Sequence, residues 1–127
     1  MKILFYDTKP YDKECFEKVA KRYENLDIEY LKTDISKRTA ALSNGYDAVC
    51  VFVASDVNAE VIKTLYENKV KLILLRCAGY NNIDLSAAKK YNITVLRVPG
   101  YSPEAVAEHA MALAFAVNRH IHKAYIK

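Results

Sequence analysis

The strongest constraint on this chain is a hydrophobic period that switches repeatedly between strand-like and helix-like. Ile3 to Tyr6 is a short apolar run ending at Asp7; Lys9-Pro10 breaks it, and Cys15, Phe16, Val19, Ala20 and Tyr23 then recur at helical spacing. The unit repeats as strand Ile28–Leu31, a weak helix near Ser36–Leu42, strand Ala48–Val53, helix Ala59–Asn68, strand Leu72–Leu75, helix Leu85–Tyr91 and strand Thr94–Val98. Asn58 and Asp84 stand where helix N-caps belong, and Gly45 and Asn92 stand where helices end.

Strands that alternate with helices pair in parallel, because each parallel connection needs a crossover and crossovers are right-handed. Ala48–Val53 and Leu72–Leu75 are apolar on both faces, which places them inside the sheet, while Ile28–Leu31 belongs at an edge. The pattern predicts an α/β fold of the flavodoxin-like kind: a five-stranded parallel sheet in the order 2-1-3-4-5, with helices on both faces. With 127 residues, 52% of them apolar, the chain can bury one core and no more.

The last segment differs in character. Ser102 can cap a helix, Pro103 suits its first turn and Glu104 faces the positive end of its dipole. From Ala105 to Val117 it is apolar nearly all round, broken only by Glu108 and His109. A helix of that kind is buried on more than one side, and a five-stranded lobe can cover only one. The chain therefore divides into a lobe over residues 1–100 and a long C-terminal helix over 101–127, and Pro103–Ile126 is expected to meet a further surface.

Several function classes drop out. The net charge of +4 is spread as Lys/Glu mixtures with no basic block, so no nucleic-acid partner is expected. Cys15, Cys50 and Cys77 lack CxxC spacing, and His109, His120 and His122 have no cysteine nearby, which argues for a reducing compartment and against structural zinc. The longest apolar run, Ala110–Val117, falls far short of the roughly 20 residues of a membrane span. Met1-Lys2 is followed by too few apolar residues for a signal peptide. A cytoplasmic location is expected. Gly45, Gly79 and Gly100 are too widely spaced for GxGxxG or a P-loop, so no nucleotide site is expected here.

Ligands of open α/β sheets bind outside the carboxyl ends of the strands. Those ends are Tyr6-Asp7, Phe52 to Ser55, Arg76 to Gly79 and Pro99 to Tyr101. At Ala78-Gly79 the lack of bulk lets a ligand approach the main chain, where successive N–H groups can hold a small carboxylate. Gly79 could equally serve only to bend the chain.

The segments "VFVASDVN", "RCAGYNNIDL" and "VLRVPGYSPEAVAEHAM" together resemble the NAD-dependent D-2-hydroxyacid dehydrogenases, most closely the fermentative D-lactate dehydrogenases. The similarity covers nearly the whole chain and implies the first part of a discontinuous substrate-binding (catalytic) domain, which then crosses into an NAD-binding domain. It implies that the main-chain N–H groups of Ala78 and Gly79 hold the carboxylate of a 2-keto or 2-hydroxy acid, with Tyr101 lining the site and Phe52 beside the substrate's side chain. It makes Pro103 to Asn118 the crossover helix and implies a homodimer through Pro103–Ile126. Gly100 departs from the alanine more usual before the tyrosine.

The family's catalytic Arg, Glu and His, and its GxGxxG, have no counterpart in these residues. The resemblance thus implies a truncated copy of an enzyme that reduces pyruvate to D-lactate with NADH. This chain alone is expected to be inactive and to bind no NAD. The alternative is a non-catalytic, self-associating or partner-binding α/β module. Arg76, Cys77 and His109 are read as structural or packing residues, despite their chemistry.

Overall fold

The computed structural model describes residues 1–126. Strands β1 (Lys2–Phe5), β2 (Asp27–Tyr30), β3 (Ala48–Val51), β4 (Leu72–Leu75) and β5 (Thr94–Arg97) pair in parallel in the order β2-β1-β3-β4-β5. This is the predicted sheet. Helices α1 (Pro10–Ala20), α2 (Ala59–Glu67) and α3 (Leu85–Lys90) form the crossovers that parallel pairing demands.

The pleat sends alternate residues to opposite faces. Leu4 and Tyr6, Val49 and Val51, and Ile73 and Leu75 form one core with Val61, Ile62 and Leu65 of α2 and Ala87 and Ala88 of α3. Ile3, Phe5, Ala48 and Cys50 face the other way, where Phe16 of α1 meets Phe5 edge-on at 4.9 Å. That second face is covered over β1 and β2 but not over β5, whose Leu96 is 53% exposed.

The caps at Asn58 and Asp84 form as expected. Asn58 accepts from the N–H groups of Glu60 and Val61, and Asp84 accepts from Ala87. The weak helix expected near Ser36–Leu42 is instead a single 3₁₀ turn at Ala40–Ser43. Its first half is taken by local side-chain bonds: the Ser36 N–H donates to Thr39 Oγ1 (2.8 Å), and that hydroxyl donates to the Asp34 carbonyl (2.7 Å). Such bonds compete with helix. Helix α1 is also less amphipathic in fact than in pattern, because Cys15 and Val19 are exposed and its buried residue is Asp12, while Tyr23 lies beyond its end and is exposed too.

The C-terminal segment is not one helix over Pro103–Ile126. Helix α4 runs Pro103–Asn118, and a short helix α5 follows at Ile121–Ile126. Between them His120 adopts φ +51°, and its N–H bonds back to Val117 O (3.3 Å), a left-handed residue closing a helix where no glycine marks the stop. Lys127, the last residue of the expected 101–127 segment, lies outside the described residues. Ser102 caps α4 through the Ala105 N–H, as expected. From Pro103 to Asn118 every residue except Ala116 is exposed, so α4 stands away from the lobe.

Candidate substrate-binding edge

Beyond the ends of the strands the β1–β3 and β3–β4 ladders continue for one residue, with Tyr6 N–H donating to Cys50 O (2.9 Å) and Arg76 N–H to Val51 O (3.0 Å), while Val98 N–H donates out of register to Cys77 O (3.2 Å). The loops after β3 and β4 are then tied to each other. Val57 pairs with Ile83 as an isolated parallel bridge, and Asn82 Nδ2 donates to the carbonyls of Phe52 and Ser55, both at 3.0 Å. Asn82 carried no chemistry in the sequence reading, yet it fixes these two loops side by side.

Arg76 organises the neighbouring strand ends. Its Nη1 pairs with Asp12 Oδ2 at 2.9 Å, and its Nη2 donates to the carbonyls of Tyr6 (2.9 Å) and Asp7 (3.1 Å). The guanidinium lies over Phe5 (4.4 Å) and Phe52 (4.7 Å), a cation–π arrangement strengthened by desolvation. Arg76 thus ties strand ends and α1 together through a side chain that is only 9% exposed. Beside it, burial pushes the Cys50 thiol up to about 12, with the guanidinium acting in the opposite direction. Cys77 is also buried, its thiol directed at Gly79 O (3.3 Å).

The turn that follows presents its main chain outward. Among the described residues neither the Ala78 nor the Gly79 N–H donates a hydrogen bond. Gly79 is not needed for the bend: its φ is not left-handed, and a Cβ there would meet nothing within 4 Å. The glycine leaves the main chain open to solvent, which is what an incoming ligand requires.

Of the residues singled out in the sequence, Phe52 is half-buried at the end of β3 and Ala78-Gly79 lies at the end of the adjacent β4. Tyr101 is 74% exposed on the link to α4 and makes no hydrogen bond among the described residues. Among the described residues no three or more His, Cys, Asp and Glu side chains are grouped so as to hold a metal ion. The β1–α1 turn, where a doubly wound fold would receive a pyrophosphate, carries the carboxylates of Asp7 and Asp12 and no glycine.

The pattern of the D-isomer specific 2-hydroxyacid dehydrogenase catalytic domain matches residues 3–125. The 2-hydroxyacid dehydrogenase homolog 1 of Schizosaccharomyces pombe is 49% identical over 127 residues, all of this chain and 38% of that protein. The D-lactate dehydrogenase of Escherichia coli is 45% identical over 125 residues, 98% of this chain and 38% of its own length. The apo-structure of the Escherichia coli enzyme superposes with a TM-score of 0.85 at 44% identity, covering 100% of this chain and 40% of the other. An NAD complexed form of the Lactobacillus delbrueckii ssp. bulgaricus enzyme gives 0.73 at 32% identity, covering 97% of this chain and 37% of that one. The chain thus spans about two-fifths of the length of the relatives it matches. It belongs to the D-isomer specific 2-hydroxyacid dehydrogenase family, within the catalytic domain of that family.

Proposed function

We propose that this chain is the substrate-binding part of a D-lactate dehydrogenase, in which NADH reduces pyruvate to D-lactate. The observation that carries the reading is the pair of unengaged N–H groups at Ala78 and Gly79, on a turn whose glycine the fold itself does not require. Two adjacent amide donors suit a carboxylate, which accepts through both oxygens. Phe52 supplies an apolar wall for a short side chain, and Tyr101 lines the site from the link to α4. Residues 1–100 act as the binding lobe, and 101–127 as the link to the part of a longer protein that carries the hydride chemistry.

NAD is held in that longer protein, not by these residues, and the chain alone does not turn over. We further propose that the exposed apolar side chains of α4 and α5, among them Val106, Phe115 and Val117, are covered by a second copy in a homodimer. Among the described residues no helix is long and apolar enough to cross a membrane, and we assign the protein to the cytoplasm. Titration of the isotope-labelled chain with oxamate, an unreactive pyruvate mimic, tests the site: the Ala78 and Gly79 amide resonances should move, weakly because one wall of the cleft is missing. Stationary amides there, with shifts elsewhere or nowhere, would remove the carboxylate reading. NADH oxidation by the isolated chain with pyruvate would show that it contains catalytic residues after all.

A further inference from the structure

In a trans peptide unit the C=O and the N–H of the next residue point in opposite directions, so whatever anchors the carbonyl also aims the amide. Both carbonyls that matter here are anchored from the β5 side. Cys77 O accepts from the Val98 N–H at 3.2 Å, which fixes the unit carrying the Ala78 N–H. Ala78 O accepts from Arg97 Nη1 at 2.7 Å, which fixes the unit carrying the Gly79 N–H. In a regular strand successive carbonyls would face opposite ways. Here two in succession are bound by donors of adjacent residues, Val98 and Arg97, so each of the two following N–H groups points away from the donor that holds its unit.

We propose that Arg97 is a positioning residue for the carboxylate donors: its guanidinium aims the Gly79 N–H and strengthens it. The inference rests on the carboxylate reading above for its ligand, but not for its geometry. A charge-assisted bond to a peptide carbonyl polarises the whole unit and makes its N–H a better donor. The Tyr80 ring, 5.3 Å from the guanidinium, stacks on it and limits the conformations Arg97 can take, and Val98 O at 3.5 Å offers a weaker second acceptor. Arg97 is exposed, so its replacement leaves the core intact.

The test is Arg97→Ala and Arg97→Lys in the full chain, read by amide NMR. Without ligand, Arg97→Ala should displace the Gly79 amide resonance upfield while residues at the opposite edge, such as Lys69 and Asn92, stay fixed; Arg97→Lys, which keeps the charge but loses the planar fork, should restore it in part. Oxamate should bind several-fold more weakly to Arg97→Ala, because both amide donors remain and only the aim and polarisation of one of them is lost. A Gly79 amide that does not move in Arg97→Ala overturns the proposal. So does equal oxamate affinity in the two proteins, and that result would leave the carboxylate reading standing. If oxamate leaves the wild-type amides unmoved while Arg97→Ala still displaces Gly79, the carboxylate reading falls and the hold of Arg97 on the peptide remains.

Discussion

Arg76 and Asp12 form an ion pair that water hardly reaches: Nη1 lies 2.9 Å from Oδ2, and the side chains are 9% and 10% exposed. Asp12 also accepts from the Lys9 N–H (2.9 Å) at the start of α1, so one carboxylate joins the first helix to the end of β4. Removing one partner of such a pair leaves an uncompensated buried charge, which costs about 3–5 kcal/mol. Asp12→Ala is expected to lose stability on that scale in urea unfolding. A loss below about 1 kcal/mol would mean that the Tyr6 and Asp7 carbonyls satisfy Arg76 unaided.

At Gly79 stability and binding should separate. Its φ is ordinary and a Cβ meets nothing within 4 Å, so Gly79→Val should stay within about 0.5 kcal/mol of the parent, as surface substitutions do. The same branched side chain stands over the amides and should abolish their response to oxamate. Binding that survives in Gly79→Val would make the turn a bend and nothing more.

The sheet was legible because its cause is local. "AVCV" and "LILL" are apolar on both faces, as inner strands of a parallel sheet are; β3 buries all four residues, while β4 buries Ile73 and Leu75 and leaves Leu72 and Leu74 half-buried. Ala78-Gly79 was legible as a low-bulk corner at a strand end. What escaped depends on distant partners or on conformations that any residue type can adopt. Arg76 reads as a strand terminus until Asp12, 64 positions earlier, is seen beside it. Asn82 is an ordinary loop residue until its amide meets Phe52 O. His120 ends α4 in the left-handed region without the glycine that would have announced it.

Cys50 gives the stability curve a basic limb. Its folded thiol is raised from 9.0 to about 12 by burial. Below pH 9 both states are protonated and nothing is lost. Above it the unfolded thiol ionises while the folded one does not, so the unfolded state binds fewer protons and stability falls through the window from about 9 toward 12. Between pH 8 and pH 10 the parent should lose about 1 kcal/mol more than Cys50→Ser, whose hydroxyl does not titrate there. Equal losses in the two proteins would mean that the buried thiol does not ionise differently on unfolding.

His120 carries a strain that glycine would relieve. An L-residue in the left-handed region costs roughly 1–2 kcal/mol, and here it separates α4 from α5. His120→Gly should slow amide exchange in the last turn of α4, at Phe115 to Asn118, without moving the protection of β1 or β3. Faster exchange there would mean that the His120 side chain holds the turn by contacts that outweigh the backbone cost.

The proposed homodimer would cover the exposed side chains of α4 and α5. Val106, Met111, Leu113, Phe115 and Val117 are each more than half exposed on α4, and Ile121, Tyr125 and Ile126 extend the apolar surface along α5. Contiguous apolar surface beyond a few hundred Å² is rare on monomers, and burying it contributes about 25 cal/mol per Å². A twofold pairing brings the same residues of two copies together and closes the surface on itself. Sedimentation equilibrium at micromolar concentration should therefore give the mass of two chains. Phe115→Glu places two like charges inside that contact and should shift the population to single chains, while the far side of the lobe, at Glu29 and Tyr46, keeps its resonances. A single-chain mass for the parent would transfer the task of covering α4 to the remainder of a longer protein.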